Sequence, residues 1–358
     1  RQHQVLGGGV VFLKVTARDD FGLRNLDLHF LRSDAAEMEE APVALWRRGD
    51  SDDRPASTGF LGPGPVPDKQ SLLYRWDLAS LQDLHPGNWI EYRVVATDFK
   101  GQVTESPTQR LGLISRNELD QKIMRQQAHI ISRLEESLRW QRDARRHALE
   151  IQLQFQDPGT FQKSDLDHLQ SVELNQRQVK EILFGTKDGI PVDVDQLLEV
   201  LQNNRVRLPD LSGQLKRLLR TLGRIHEEQL VDIEAQLLFT LKTSRSEHET
   251  VVKDLTLGTL EDVQVPVNPA ARLAFQRAVQ GQQSVIRRLE RLLGEVSEQE
   301  DYQRFAYDIR RMANLQDQYR EQTQQLQVDR LGRTTEQLTG KEKAQQRQAG
   351  ERQTELAR

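Results

Sequence analysis

The 358-residue chain has no cysteine. Structural disulfides, Cys-ligated zinc, iron–sulfur clusters and thiol catalysis are therefore excluded, while the compartment is left open. No run of about 18 apolar residues is present, so no stretch of this sequence reads as a membrane-spanning helix. No signal-peptide pattern stands at its start. Aromatic residues make up 6% and hydrophobic residues 36% of the chain, against 29% charged. So small an apolar share limits the core that can be buried per residue and suits long helices that each bury one stripe. No sign of charge dominates. The first 114 residues carry 13 Lys+Arg and 16 Asp+Glu, and the remaining 244 carry 37 and 38. Neither part has the basic surplus of a nucleic-acid binder, so no nucleic-acid partner is expected.

Proline and glycine are unevenly spread. Seven of twelve prolines and eleven of 22 glycines precede residue 115, as do Trp46, Trp76 and Trp89, three of the four tryptophans. That is the punctuation of short strands joined by turns. Strands are expected over 10–17, 23–31, 42–46, 72–78, 89–97 and 109–114. In the second, Leu26, Leu28 and Phe30 alternate with Asn25, Asp27 and His29, the period of a half-buried strand. Six or seven strands in about 113 residues suggest an immunoglobulin-like sandwich. Residues 49–69 read as a long polar loop.

The pattern changes at Ser115. Ser115 and Glu118 form a capping box, and no proline or glycine follows until Pro158. One helix of nearly 40 residues, ~57 Å long, is expected over 118–155. Leu119, Ile123, Ile130, Leu134, Leu138 and Leu149 supply its apolar stripe. Further helices are expected over 164–184 with Ser164 as cap, after an Asp193 cap, over 210–243, over 269–295 from an Asn268-Pro269 start, and over 301–328. Residues 244–268 read as irregular. The Gln-, Arg- and Glu-rich stretch 329–358 reads as a solvated helix or a disordered tail.

Reaction motifs are scarce. Ala17-x-Asp19-x-x-Gly22 and Ala96-x-Asp98-x-x-Gly101 echo each other at strand ends. Turn chemistry accounts for both, with Asp bonding a backbone N–H and Gly taking positive φ. The sharper alternative is a Ca²⁺ site built from Asp19, Asp20 and Asp98. Gly7-Gly8-Gly9 precedes a strand instead of a helix and lacks the Gly-Lys-Ser/Thr of a phosphate loop, so it reads as a flexible lead-in. His226-Glu227-Glu228 lacks the second histidine of a zinc-protease helix, and no Gly-x-Ser-x-Gly elbow occurs. Basic clusters at Arg139/Arg142/Arg146, Lys216/Arg217/Arg220/Arg224 and Arg287/Arg288/Arg291 read as solvated faces laced with i,i+4 pairs, or else as an anionic-partner surface. The stripe Tyr302, Phe305, Ile309, Met312, Leu315 and Tyr319 is a bundle seam or a partner-binding face.

The segments 17–23 (Ala-Arg-Asp-Asp-Phe-Gly-Leu) and 86–98 (Pro-Gly-Asn-Trp-Ile-Glu-Tyr-Arg-Val-Val-Ala-Thr-Asp) are similar to bacterial immunoglobulin-like modules. Continued through Gly101-Gln102-Val103-Thr104-Glu105-Ser106-Pro107 into a capped helix and Gln/Arg/Glu-rich helices, the chain resembles a family of large bacterial proteins. These are anchored by transmembrane helices near their N-terminus, with module and helices outside the cytoplasm. The resemblance implies an envelope setting and a membrane anchor upstream of Arg1. It supplies no catalytic residues. The chain opens without methionine and ends within a polar pattern, and the expectation is that it is a piece of something longer.

The expected architecture is α+β as segregated domains. An all-β immunoglobulin-like sandwich covers 1–114, an elongated helical bundle or coiled-coil region covers 115–328, and the polar tail covers 329–358. The expected role is a non-enzymatic scaffold or spacer of the bacterial envelope, with no cofactor. Its partners would be proteins, itself or envelope components, with a homo-oligomer as one form and membrane contact only through segments outside this chain. Two alternatives stand beside it. One is carbohydrate or peptidoglycan binding by a sandwich on a helical stalk, resting on Trp46, Trp76 and Trp89. The other is a hydrolase whose residues assemble from distant positions.

Overall fold

The computed structural model describes residues 3–19, 22–34, 42–48, 68–156, 160–254 and 264–328, with the side chains of 298–328 outside that description almost throughout. The chain divides into two compact units, Arg1–Glu290 and Arg291–Arg358. Within the first, a β-rich region is followed by a helical region.

The β-rich region contains β1 (His3–Val5), β2 (Val10–Asp19), β3 (Leu23–Arg32), β4 (Val43–Arg47), β5 (Asp68–Asp77), β6 (Trp89–Asp98), β7 (Val103–Glu105) and β8 (Gln109–Leu113). The larger sheet has the order β1-β8-β6-β3-β4, with β7 also paired to β6. The smaller sheet is the antiparallel pair β2–β5, in continuous register from Val10↔Asp77 to Asp19↔Asp68. One apolar core joins the two sheets. Leu26, Leu28 and Phe30 of β3 are buried, as their alternation predicts, in a cluster with Val11, Leu13 and Val15 of β2. Trp76 stands at its centre, 5.2 Å from the Phe30 ring and 5.6 Å from that of Tyr92. Burying each such large side chain contributes about 1.5–3 kcal/mol. Strands β1 and β7 were not legible in the sequence, being three residues each.

The helical region begins with α1 (Arg116–Gln156), a single helix of 41 residues. The capping box forms as expected: Ser115 N donates to Glu118 Oε2 at 2.7 Å, and Glu118 N donates to Ser115 Oγ at 3.3 Å. Leu119, Ile123, Ile130, Leu134 and Leu138 are buried along the expected stripe, which continues through Ala144, Ala148, Ile151 and Phe155. Leu149 is only half-buried.

After β9 (Thr160–Phe161) come α2 (Lys163–Phe184) and α3 (Ile190–Asn203). The expected caps both move. Gln162 precedes α2, with its N–H on Asp165 Oδ2 at 2.9 Å. Helix α3 starts three residues before Asp193, because Pro191 fits the first turn, where no N–H is needed. Helices α4 (Pro209–Arg224) and α5 (Val231–Asp254) join through a π-helical segment, Ile225–Leu230. Part of the expected irregular stretch is thus helical. The rest includes β10 (Val265–Pro266), which pairs antiparallel with β9. Helix α6 (Pro269–Val328) is capped by Asn268, whose Oδ1 accepts Ala270 N–H at 2.8 Å. It shows no break near 296–300, where the sequence holds neither proline nor glycine. Among the described residues, no helix is long and apolar enough to cross a membrane.

Candidate functional site

The most elaborately built feature of the first unit is the joint between the β-rich region and the helices. Its base is β1, which runs parallel to β8 with Val5 opposite Leu113. Ile114, the first residue past β8, donates its N–H to Val5 O at 3.0 Å, and the Ser115 cap follows at once. Helix α1 therefore leaves the sheet without slack. At its first turns Lys122 Nζ donates to Gln4 Oε1 at 3.2 Å, and burial together with the nearby Arg125 charge lowers the Lys122 pKa.

The end of α3 forms the other side. Arg205 N–H bonds Gln202 O at 3.1 Å and Val206 N–H bonds Leu201 O at 2.9 Å, the two bonds of a Schellman ending. That motif puts Arg205 at φ +52°, a left-handed conformation ordinarily given to glycine. The arginine side chain is used: its guanidinium pairs with Asp77 at the end of β5. Burial works to raise the Asp77 carboxyl, but the hydrogen bonds from Arg205 and the Ala79 N–H, with the charges of Arg205 and Arg75, outweigh it and hold the group below its ordinary value. One residue earlier, Asn204 is 4% exposed. Its Oδ1 accepts Leu6 N–H at 2.7 Å and its Nδ2 donates to Val200 O at 2.8 Å.

Gly9 is part of the same contact. A Cβ there would lie 2.3 Å from Val5 Cγ2 and 2.8 Å from Asn203 O, so the close approach of this turn to α3 requires glycine. The glycine run expected to be a flexible lead-in is a packed turn, with Gly9 N–H on Leu6 O at 2.9 Å and Leu78 N–H on Gly9 O at 3.0 Å. None of Leu6, Asp77, Asn204 or Arg205 was singled out from sequence, and Gly9 only as part of that lead-in. The pair Asn203-Asn204 before a change of pattern signals a helix end, but nothing local signals its partner.

The residues singled out from sequence fall elsewhere. Asp19 and Asp98 sit in different sheets, Asp19 opposite Asp68 and Asp98 opposite Leu23. Asp20 lies outside the described residues. Asp98 is buried and serves its turn, with Oδ1 accepting Gln102 N–H at 2.7 Å and Gly101 at φ +81°. A cation is already beside that turn: Arg48 Nη1 reaches Leu23 O at 3.5 Å, and its guanidinium lies over the Phe99 ring at 5.1 Å. Among the described residues, no group of three or more His, Asp or Glu is placed to hold a metal ion.

Trp76 is core, and Trp46 and Trp89 are half-buried, with the Arg110 guanidinium over the Trp89 ring at 4.2 Å. In the basic clusters, Arg142 pairs with Glu290 at 2.7 Å, Arg146 with Asp143 at 2.9 Å and Arg288 with Glu228 at 3.1 Å. Tyr302, Phe305, Ile309, Met312, Leu315 and Tyr319 lie on the backbone of α6, and their side chains fall outside the described residues, as does the stretch 329–358.

Compared with known proteins, the chain matches no family model, no curated protein and no solved structure.

Proposed function

We propose that this chain is a non-enzymatic structural protein, a scaffold or spacer of a bacterial cell envelope, in which an immunoglobulin-like sandwich is held in a fixed attitude on a helical bundle. The joint carries this reading. Modules that act independently are ordinarily linked by exposed, flexible segments with few contacts across them. Here a buried asparagine, a glycine demanded by close packing, an ion pair and a cap that follows the last strand directly all fall between the two regions. Such a connection transmits orientation, which is what a spacer needs and a tethered binding module does not. The strand order β8-β6-β3 facing a β2–β5 pair around one core supports the immunoglobulin-like assignment. The envelope setting rests on the resemblance of the immunoglobulin-like segments, continued through 101–107 into a capped helix and Gln/Arg/Glu-rich helices, to a family of membrane-anchored bacterial proteins.

The test is protease accessibility in intact cells with a permeabilised outer layer, followed with an antibody to the β-rich region. Degradation of this protein while a cytosolic marker survives is the expected result. Protection alongside the marker would overturn the envelope setting. In the same cells, a full-length protein with Gly9→Val and Asn204→Ala should fail to replace the native protein at normal abundance; full replacement would remove the role assigned to the joint.

A further inference from the structure

A groove of about 430 Å³ opens between the C-terminal part of α5, strand β10 and the start of α6. Its size is that of a small-molecule site. Its floor is apolar, with Val265 and Val267 buried beside Val251 and Pro266. Its polar rim is one-sided. Glu247 is fixed from one side only: Oε1 accepts Asn268 Nδ2 at 2.6 Å, while Oε2 is buried and has no hydrogen-bond partner. Thr250 has its hydroxyl proton committed to Ser246 O at 2.8 Å, so it presents lone pairs. The amide of Asn268 is committed on both ends, Nδ2 to Glu247 and Oδ1 to Ala270 N–H.

These groups decide the sign of the ligand. The start of α6 would by itself favour an anion. However, Asn268 already takes up its Ala270 N–H, and the Glu247 carboxylate stands beside it, so an anion would meet a like charge. What is missing is a donor for a desolvated carboxylate oxygen, whose lack of a partner is costly. We propose that the groove binds a small primary alkylammonium. Its N–H donors would answer the Thr250 hydroxyl and, with the Glu247 carboxyl turned toward the groove, Oε2, and a short alkyl chain would lie on Val251, Val265 and Val267.

The experiment titrates the full chain with n-hexylammonium, n-hexanol and hexanoate, each followed by isothermal calorimetry and by NMR of labelled valine methyls. Hexylammonium should bind and shift the methyls of Val251, Val265 and Val267. Hexanol should bind at least about tenfold more weakly, because it offers no charge-assisted bond. Hexanoate should not bind. Glu247→Gln keeps an acceptor for Asn268 and should reduce hexylammonium affinity by about tenfold or more, with hexanol unaffected. Equal binding of hexylammonium and hexanoate, or valine shifts confined to other positions, would overturn the proposal. Should Glu247→Gln unfold, the comparison of the three ligands on the native chain decides alone.

Discussion

Asn204 Oδ1 accepts the backbone N–H of Leu6 at 2.7 Å, across 198 positions of sequence. The same buried amide donates to Val200 O at 2.8 Å, so it satisfies a donor at the end of a strand and an acceptor at the end of a helix. Asn204→Ala strands the Leu6 N–H, while Val200 O keeps the backbone N–H of residue 204 at 3.2 Å, and should destabilise the chain by about 1–3 kcal/mol. The more telling readout is cooperativity. Three of the four tryptophans lie in the β-rich region, so urea unfolding followed by tryptophan fluorescence and by helical circular dichroism reports the two regions separately. The two transitions should coincide in the native chain and separate in Asn204→Ala. Coincident transitions in the variant would show that the joint does not couple the regions.

Gly9 sets the distance between the same two elements. Gly9→Ala places a methyl against Asn203 O, a backbone atom that cannot rotate away. The turn must shift, which costs about 1–3 kcal/mol as an overpacking strain. Gly8 is the internal control, because a Cβ there meets nothing within 4 Å. Thermal unfolding should place Gly8→Ala near the native chain and Gly9→Ala clearly below it.

The acid side of stability is predicted from the same region. Asp77 and Glu118 both lie below their ordinary pKa. For Asp77, burial opposes the shift and the Arg205 bond leads it; for Glu118, the Ser115 N–H leads, with the Ser115 hydroxyl adding to it. A carboxyl held low in the folded state contributes stability that is fully present above its unfolded value, about 4, and is lost as pH falls through the folded value. Thermal midpoints should therefore be flat toward neutrality and drop below about pH 4. Arg205→Gly relieves the left-handed conformation while removing the Asp77 partner. At neutral pH these effects oppose each other, whereas the acid-side drop should become shallower. An unchanged acid limb in Arg205→Gly would mean that the ion pair does not act on stability.

Much of the scaffold was legible because its signals are local. The alternation through Leu26, Leu28 and Phe30, the Ser115–Glu118 box and the Asn268-Pro269 start each act within a few residues, and each sits where its pattern places it. The joint was not legible, for the same physical reason in reverse. A Gly9 required by Asn203, or an Asn204 required by Leu6, looks in sequence like any turn glycine or helix-end asparagine. Helix ends were misread where a weaker signal stood near a stronger one: Asp193 suits a cap, but Pro191 already fits the first turn. The break expected near 296–300 does not form: those five residues hold no proline or glycine, and α6 runs through them. Residue identity also left the role of Trp76 open, since an aromatic on a strand suits a core and a binding face equally; the ring faces Phe30 and Tyr92.

The last prediction concerns a polar layer inside the helices. Gln141 of α1, Gln176 of α2 and Gln282 of α6 are all nearly inaccessible. Gln141 and Gln176 exchange two amide bonds of 3.1 Å, and Gln282 Nε2 donates to Gln176 Oε1 at 2.9 Å. Gln176 is the shared partner, so Gln176→Leu strands both neighbours at once, at about 1–3 kcal/mol for each buried amide left unpaired. The midpoint of thermal unfolding should fall by several degrees. Replacing all three with leucine removes every stranded group and keeps similar volume. That variant should recover most of the loss or exceed the native midpoint, as apolar replacements of buried polar clusters often do. What it should lose is the fixed register of the three helices, read as broadened methyl resonances of Leu138, Val179 and Val279. A triple variant less stable than Gln176→Leu alone would show that the layer contributes stability outright and does not act mainly on register.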